Sequence, residues 1–280
     1  MINPVLHADA HETETLLNAL LDLVCSGQAF PCCCLRAMQS WQVNKFQVEG
    51  ATFSFPLRGT FRYREQDKWV CVAPGEMLVF PNARSIDIEC TPDPGSGEFL
   101  ALTVLLAEEQ LEAARLLLRV LPPANPGSIA AEPLAKFIAP MTRWVAALRA
   151  GNRALAIHAM LEVVLRLFEM GHHGLLRLQP PGIAMTIRKM VSHDPAHHWS
   201  TGEIEERLNI SGATLRRRLA AENTTLSAVI TDARIADALQ LLMTTRIPIK
   251  SVAARVGYAS VASFSRQFSK RYGTEPSVFR

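Results

Sequence analysis

Residues 203–219 read EIEERLNISGATLRRRL, and residues 249–268 read IKSVAARVGYASVASFSRQF. The two stretches share one grammar. Each has a short helix-forming run, a residue suited to a tight turn (Asn209 or Gly257), and then a serine (Ser211 or Ser260) placed to cap a second helix. Beyond the cap, Leu215 and Leu219, or Phe264 and Phe268, stand at i and i+4. That spacing puts each pair on one helix face, the buried edge of the second helix. Arg217 and Arg266 take equivalent places beside that edge. One copy would be equally well explained as a helical hairpin in an all-α domain. Two in-phase copies, each bringing an arginine to the face beside its serine, predict two helix-turn-helix units at about residues 200–221 and 249–272.

Charge agrees with that reading. Residues 181–280 hold 14 Lys+Arg against 8 Asp+Glu, a balance of +6, whereas residues 1–180 hold 15 against 18, a balance of −3. A basic module joined to a mildly acidic one implies that only the C-terminal part meets a polyanion. Residues 183–280 are expected to be helical, with breaks at Pro195, Asn209, Asn223, Pro248, Gly257 and Gly273, and with Trp199 in the core. Arg234 is placed just ahead of a connecting helix over residues 235–243, whose Ile235, Ala238, Leu239 and Leu242 face inward.

The N-terminal part reads differently. An amphipathic helix is expected over residues 14–24, followed by short alternating runs at 52–55, 60–64, 69–72, 77–80, 86–90 and 99–105, separated by turn residues. Short strands at near-regular spacing point to a small barrel or sandwich. Helices are expected at 107–120, 133–150 and 153–171. Residues 174–182, with Pro180 and Pro181, read as a stiff linker.

No apolar run approaches the roughly 18 residues of a spanning helix, and no signal peptide is evident, so a cytoplasmic protein is expected. Of the six cysteines, Cys25, Cys32, Cys33, Cys34, Cys71 and Cys90, none forms a CxxC pair. They read as buried small hydrophobes, with a thiol sensor at Cys32-Cys33-Cys34 as the sharper alternative. No histidine lies between His11 and His158, which argues against a metal held on the strands. His193, His197 and His198 read as solvent-facing or capping. Neither a metal, a cofactor nor a catalytic residue is expected.

The run Arg234-Ile235-Ala236-Asp237-Ala238-Leu239-Gln240-Leu241-Leu242, followed by residues 249–256 and by Gly257-Tyr258-Ala259-Ser260 through to Pro276-Ser277-Val278-Phe279-Arg280, resembles the C-terminal signature of the AraC/XylS family of bacterial transcription regulators. The resemblance covers about residues 183–280. Thr214-Leu215-Arg216-Arg217-Arg218-Leu219-Ala220 is most similar to the branch with enterobacterial virulence and acid-resistance regulators. Two departures are Asn223, where the family usually has Gly, and Ser269, where Lys is frequent.

The resemblance implies that the second helix of each unit enters successive major grooves of double-stranded promoter DNA. By position, Ala213, Arg216, Arg217, Val261, Ala262, Ser265 and Arg266 would face bases. Arginine can bond guanine bidentately, and Val or Ala can meet thymine methyls. Ser211, Arg218, Ser260, Lys270 and Arg271 would hold phosphates.

For the rest of the chain, the run from Ala73-Pro74-Gly75 to Phe80-Pro81 resembles the family's cupin-like effector domains. The expected fold is therefore α+β. It comprises a cupin-like β-barrel at 1–106, a helical dimerisation region at 107–173, the linker at 174–182 and an all-α DNA-binding domain at 183–280. The barrel would take a small molecule, such as a fatty acid, or a regulatory protein. Lys45, Arg58 and Arg62 are candidate cations for a carboxylate ligand. RNA polymerase and a second copy of the chain are the other implied partners, and no membrane is. The expected function is a sequence-specific regulator, an activator in the family's commoner mode, active at the bacterial nucleoid. The alternatives are a nucleoid-type or anti-silencing binder with loose sequence preference and, more remotely, a cupin-type enzyme.

Overall fold

The computed structural model of the chain describes residues 4–25, 33–65, 67–121, 123–178 and 182–279, with the side chains of residues 4–9 and of Cys33 outside that description. It divides into two compact units, Met1–Leu178 and Gln179–Arg280. The expected linker is already structured at its start: residues His173–Leu176 form a 3-10 turn with Leu175 and Leu176 buried. Gln179, Pro180 and Pro181 lie outside the described residues.

The first unit opens with helix α1 (Pro4–Cys25) and continues through eight strands: β1 (Cys33–Ala37), β2 (Trp41–Val48), β3 (Thr52–Arg58), β4 (Thr60–Glu65), β5 (Lys68–Val72), β6 (Glu76–Phe80), β7 (Arg84–Thr91) and β8 (Phe99–Leu105). After α2 (Glu108–Leu118) comes a ninth strand, β9 (Ala130–Pro133), then α3 (Ile138–Arg149) and α4 (Arg153–Glu169). The strands do not close into the expected barrel. They form two open antiparallel sheets, one ordered β1-β8-β3-β6-β9 and the other β2-β7-β4-β5.

Burial explains the layering. On β3, residues 52–57 are all buried, as expected of a strand covered on both faces. Phe53, Phe55 and Leu57 join Met77, Val79, Leu100 and Leu102 in a core shared with α1, α3 and α4. The opposite face meets the four-stranded sheet, where Phe99 stacks on Phe61 at 6.4 Å between ring centroids. Its buried hydroxyls are paired, Ser54 with Thr103 at 3.2 Å. The outer sheet is covered once only, so β2 and β7 alternate buried and accessible residues.

The chain passes from one sheet to the other at Gly59. Its φ is +75°, and a Cβ there would stand 2.4 Å from the Thr91 carbonyl oxygen, so only glycine fits. One contact made by a helix went unread in the sequence. Arg115 of α2 is only 5% exposed, and its guanidinium donates to Glu112 (2.9 Å), to Glu108 and to the Leu176 carbonyl (3.2 Å).

The second unit is all helical: α5 (Ile183–His193), α6 (Thr201–Leu208), α7 (Gly212–Ala221), α8 (Leu226–Thr244), α9 (Ile249–Arg255) and α10 (Val261–Tyr272). Helix α8 begins well before the expected position, because Thr225 caps it by accepting the Ala228 N–H at 3.2 Å. Arg234 therefore lies inside this helix rather than ahead of it.

Phe53 is fully buried at the centre of the five-stranded sheet. Phe53→Ala is expected to cost the first unit about 3–5 kcal/mol, read as a lowered midpoint in denaturant titration. A loss below about 1 kcal/mol would mean that this face is not a packed core.

Candidate nucleic-acid interface

Both helix-turn-helix units are built by the same local rules. In the first, α6 ends at Asn209 in the left-handed conformation (φ +50°), which asparagine tolerates. Ser211 then starts α7 by accepting the Thr214 N–H at 3.3 Å. Leu215 and Leu219, each 1% exposed, lock that helix onto Ile187, Trp199, Ile204 and Val229. With 100° per residue, the buried edge dictates the free one. Arg217 and Ala213 point directly away from it, and Arg216 and Arg218 lie on opposite flanks, all four exposed.

The second unit repeats the scheme. α9 leads into Gly257 (φ +81°), and Ser260 caps α10 by accepting the Ser263 N–H at 3.2 Å. Phe264, Phe268 and Tyr272 are buried in an aromatic file with centroid separations of 5.7 and 5.1 Å. Burial pushes the Tyr272 phenol pKa up, so it stays protonated. Ala262, Arg266 and Lys270 are exposed opposite the file, Val261 is exposed at the first turn, and Ser265 is half-buried on a flank.

One expected phosphate ligand is differently placed. Arg271 falls on the buried flank of α10, with its side chain 16% exposed, its Nε 3.4 Å from Asp232 and its guanidinium over the Tyr272 ring. An arginine already engaged to α8 is poorly placed to reach a phosphate. The Ser211 and Ser260 hydroxyls both accept backbone bonds as caps, and the Ser211 hydroxyl also shares a hydrogen bond with the Thr214 hydroxyl at 3.1 Å. Sequence reading also missed Glu222. Its carboxylate accepts the Ile183 and Ala184 N–H groups at 2.7 and 3.1 Å, capping α5 from beyond the end of α7.

Residues 204–280 match the family described as Helix-turn-helix domain. The chain is 31% identical over 93 residues to the HTH-type transcriptional activator CfaD of Escherichia coli, covering 33% of this chain and 35% of that protein. It is 31% identical over 106 residues to the regulator GadX of E. coli, covering 38% and 39%. The C-terminal unit is an AraC-type helix-turn-helix domain.

These matches span well under half the length of the curated relatives, so they speak for the AraC-type domain alone. Across both units the fold resembles ToxT from Vibrio cholerae. One such structure superposes with a TM-score of 0.62 at 13% identity, covering 89% of this chain and 97% of that one. A second, described as bound to an unsaturated fatty acid, gives 0.57 at 13% identity, covering 88% and 92%. At that identity the likeness shows a shared fold.

In the first unit Lys45 and Arg62 lie on β2 and β4 of the four-stranded sheet, whereas Arg58 ends β3 of the five-stranded sheet, and each has its own acidic neighbour. Arg58 pairs with Glu98 at 3.1 Å, and Arg62 pairs with Glu89 at 3.0 Å while lying over the Trp69 ring. Lys45 is exposed on a bulge of β2, where its backbone N–H donates to Asp87 at 2.8 Å. The cysteines are not uniformly buried as expected. Cys90 is buried, Cys34 half-buried, and Cys25 and Cys71 exposed. Burial pushes the Cys34 thiol pKa up, away from the thiolate that a sensor uses. Cys32 lies outside the described residues, as does the Cys33 side chain. Among the described residues, no group of three or more His, Cys, Asp or Glu is placed to hold a metal. Among the described residues, no helix is long and apolar enough to cross a membrane.

Ser260→Ala removes the cap of α10 and is expected to cost about 1 kcal/mol, lowering the melting temperature of the second unit, whereas Ser260→Asp is expected to retain most of it. Equal loss in both variants would show that the cap is not what holds the helix start.

Proposed function

We propose that the chain is a sequence-specific transcription regulator, acting as an activator through RNA polymerase, that reads promoter DNA with both helix-turn-helix units. The observation that carries this reading is the exposed face of each second helix. Arg216 and Arg217 on α7, and Arg266 beside Val261 and Ala262 on α10, stand out while hydrophobic pairs anchor the helices from behind. Arginine there can read guanine, and the small apolar groups can meet thymine methyls. Arg218 and Lys270 are exposed on the same helices and suit phosphates. Ser265, Ala213 and the two capping serines complete the contact set.

The first unit is proposed to be regulatory, with an effector-binding part at residues 1–106 and a dimer-forming part at 107–173. Exposed Leu116 and Leu117 in the last turn of α2, Leu121 beyond its end, and Leu155 on α4 support a self-association surface. The fold shared with ToxT, one structure of which holds an unsaturated fatty acid, supports an apolar carboxylate as effector, with a partner protein as the other candidate. Ligand binding would then shift an equilibrium of dimerisation or domain orientation. The sequence suits the cytoplasm and the nucleoid.

Genome-wide occupancy of the wild type beside an Arg217→Ala, Arg266→Ala double variant tests the reading. Each lost bidentate contact is expected to weaken specific binding by about 1–3 kcal/mol, so a few sharp peaks sharing a two-part motif should vanish while helicity by circular dichroism is unchanged. Broad occupancy that survives the double change would favour the loose, nucleoid-type reading, which the small Ala213 side chain on α7 keeps in contention. Separately, Arg218→Ala and Lys270→Ala are expected to weaken binding about equally on all sequences. Each should reduce the slope of log affinity against log salt by about one. Unchanged slopes would remove them from the phosphate set.

A further inference from the structure

Residues 194–200, between α5 and α6, form a joint that touches both helix-turn-helix units. Toward the first unit, the Trp199 indole N–H donates to the Asp194 carbonyl at 3.0 Å, and the ring is buried in that unit's core. His197 packs edge-on against the Trp199 ring at 4.8 Å, and its Nε2 lies 2.7 Å from the Glu203 carboxylate on α6. That contact holds the Glu203 pKa below the usual range. Arg207, also on α6, places its guanidinium 4.8 Å from the Trp199 ring centroid. Toward the second unit, Gly257 presses on the same loop. A Cβ at Gly257 would stand 2.9 Å from the Pro195 carbonyl oxygen, 3.1 Å from the Ala196 Cα and 3.1 Å from the Arg234 Cζ.

Arg234 closes this joint. From inside α8 its Nε donates to the Pro195 carbonyl and its Nη2 to the His197 carbonyl, both at 2.8 Å. The guanidinium is planar, and its donors are fixed in a fork. It can satisfy both carbonyls only when the loop, the long helix and the α9–α10 turn hold one arrangement. Two waters could satisfy the same carbonyls singly without imposing any arrangement.

We propose that Arg234 is a positioning residue that sets the separation and angle between the two recognition helices, and through them the spacing of half-sites that the protein accepts. The proposal rests on the reading that both units bind one DNA site. Half-sites on one face of a duplex must be about one helical turn apart, so a loosened joint degrades spacing selectivity before it degrades base recognition.

The test is selection of bound sequences from a random-core double-stranded DNA library by the full-length chain, comparing wild type, Arg234→Gln and Arg234→Lys. Wild type is expected to return a two-part motif in which one separation is favoured over its neighbours by roughly tenfold or more. Arg234→Gln is expected to return the same half-site sequences with that preference reduced to about threefold or less. Arg234→Lys keeps the charge and can reach one carbonyl, so it should fall between. If Arg234→Gln fails to fold, the lysine variant decides by the same spacing readout. Unchanged spacing preference in the folded variants, with only affinity or melting temperature reduced, would overturn the positioning role. A one-part or absent motif from wild type would instead overturn the two-unit reading beneath it.

Discussion

The DNA-binding unit depends on one constraint, the buried i, i+4 edge of each second helix. Leu215 and Leu219 in α7, and Phe264 and Phe268 in α10, must face the core, and helical geometry then gives the opposite face no choice but to project outward. Specificity can reside on that outer face because the inner face carries the packing. Serine caps fix where each helix begins, so they fix which residues lie in the first exposed turn. Asn209 and Gly257, both at positive φ, set the angle at which each helix departs from its predecessor. Neighbouring cation side chains can therefore serve different ends: Arg266 and Lys270 are left free of the core, whereas Arg271 is drawn to Asp232.

The first unit solves a different packing problem. Its five-stranded sheet is covered on both faces, by helices and by the smaller sheet, so β3 reads as a nearly continuous buried run. The smaller sheet keeps one face in water and lines it with cross-strand ion pairs, Arg62 with Glu89 and Arg64 with Asp87. Such exposed pairs stabilise little individually, but the first of them neutralises Arg62, a cation that the sequence offers to a carboxylate ligand.

Much of this was legible in the chain itself. The two turn-and-cap patterns, the buried edges and six of the strands follow from local rules that act within a few residues. What escaped the sequence depends on partners far along the chain. β9, Ala130–Pro133, has no alternating pattern and exists because β6 offers it an edge. The bulge at Lys45 answers to Asp87, 42 residues away. Closure of a barrel rather than two open sheets is a matter of strand register that alternation cannot report. Arg234 could be seen as a charge in an apolar helix, an anomaly that signals a partner, but its two carbonyl acceptors are 39 and 37 residues distant. Arg271 looked like its neighbour Lys270 because one residue of helical rotation separates an outward face from an inward flank.

On the proposed reading, two recognition helices, held on one scaffold, meet the same face of a DNA duplex. Hydroxyl-radical footprinting of the full-length chain on its best selected site addresses it directly. The account predicts two protected patches on one face, centred about one helical turn apart. In Arg217→Ala one patch should weaken, and in Arg266→Ala the other. A single protected patch, or uniform protection along the site unaffected by either change, would contradict it.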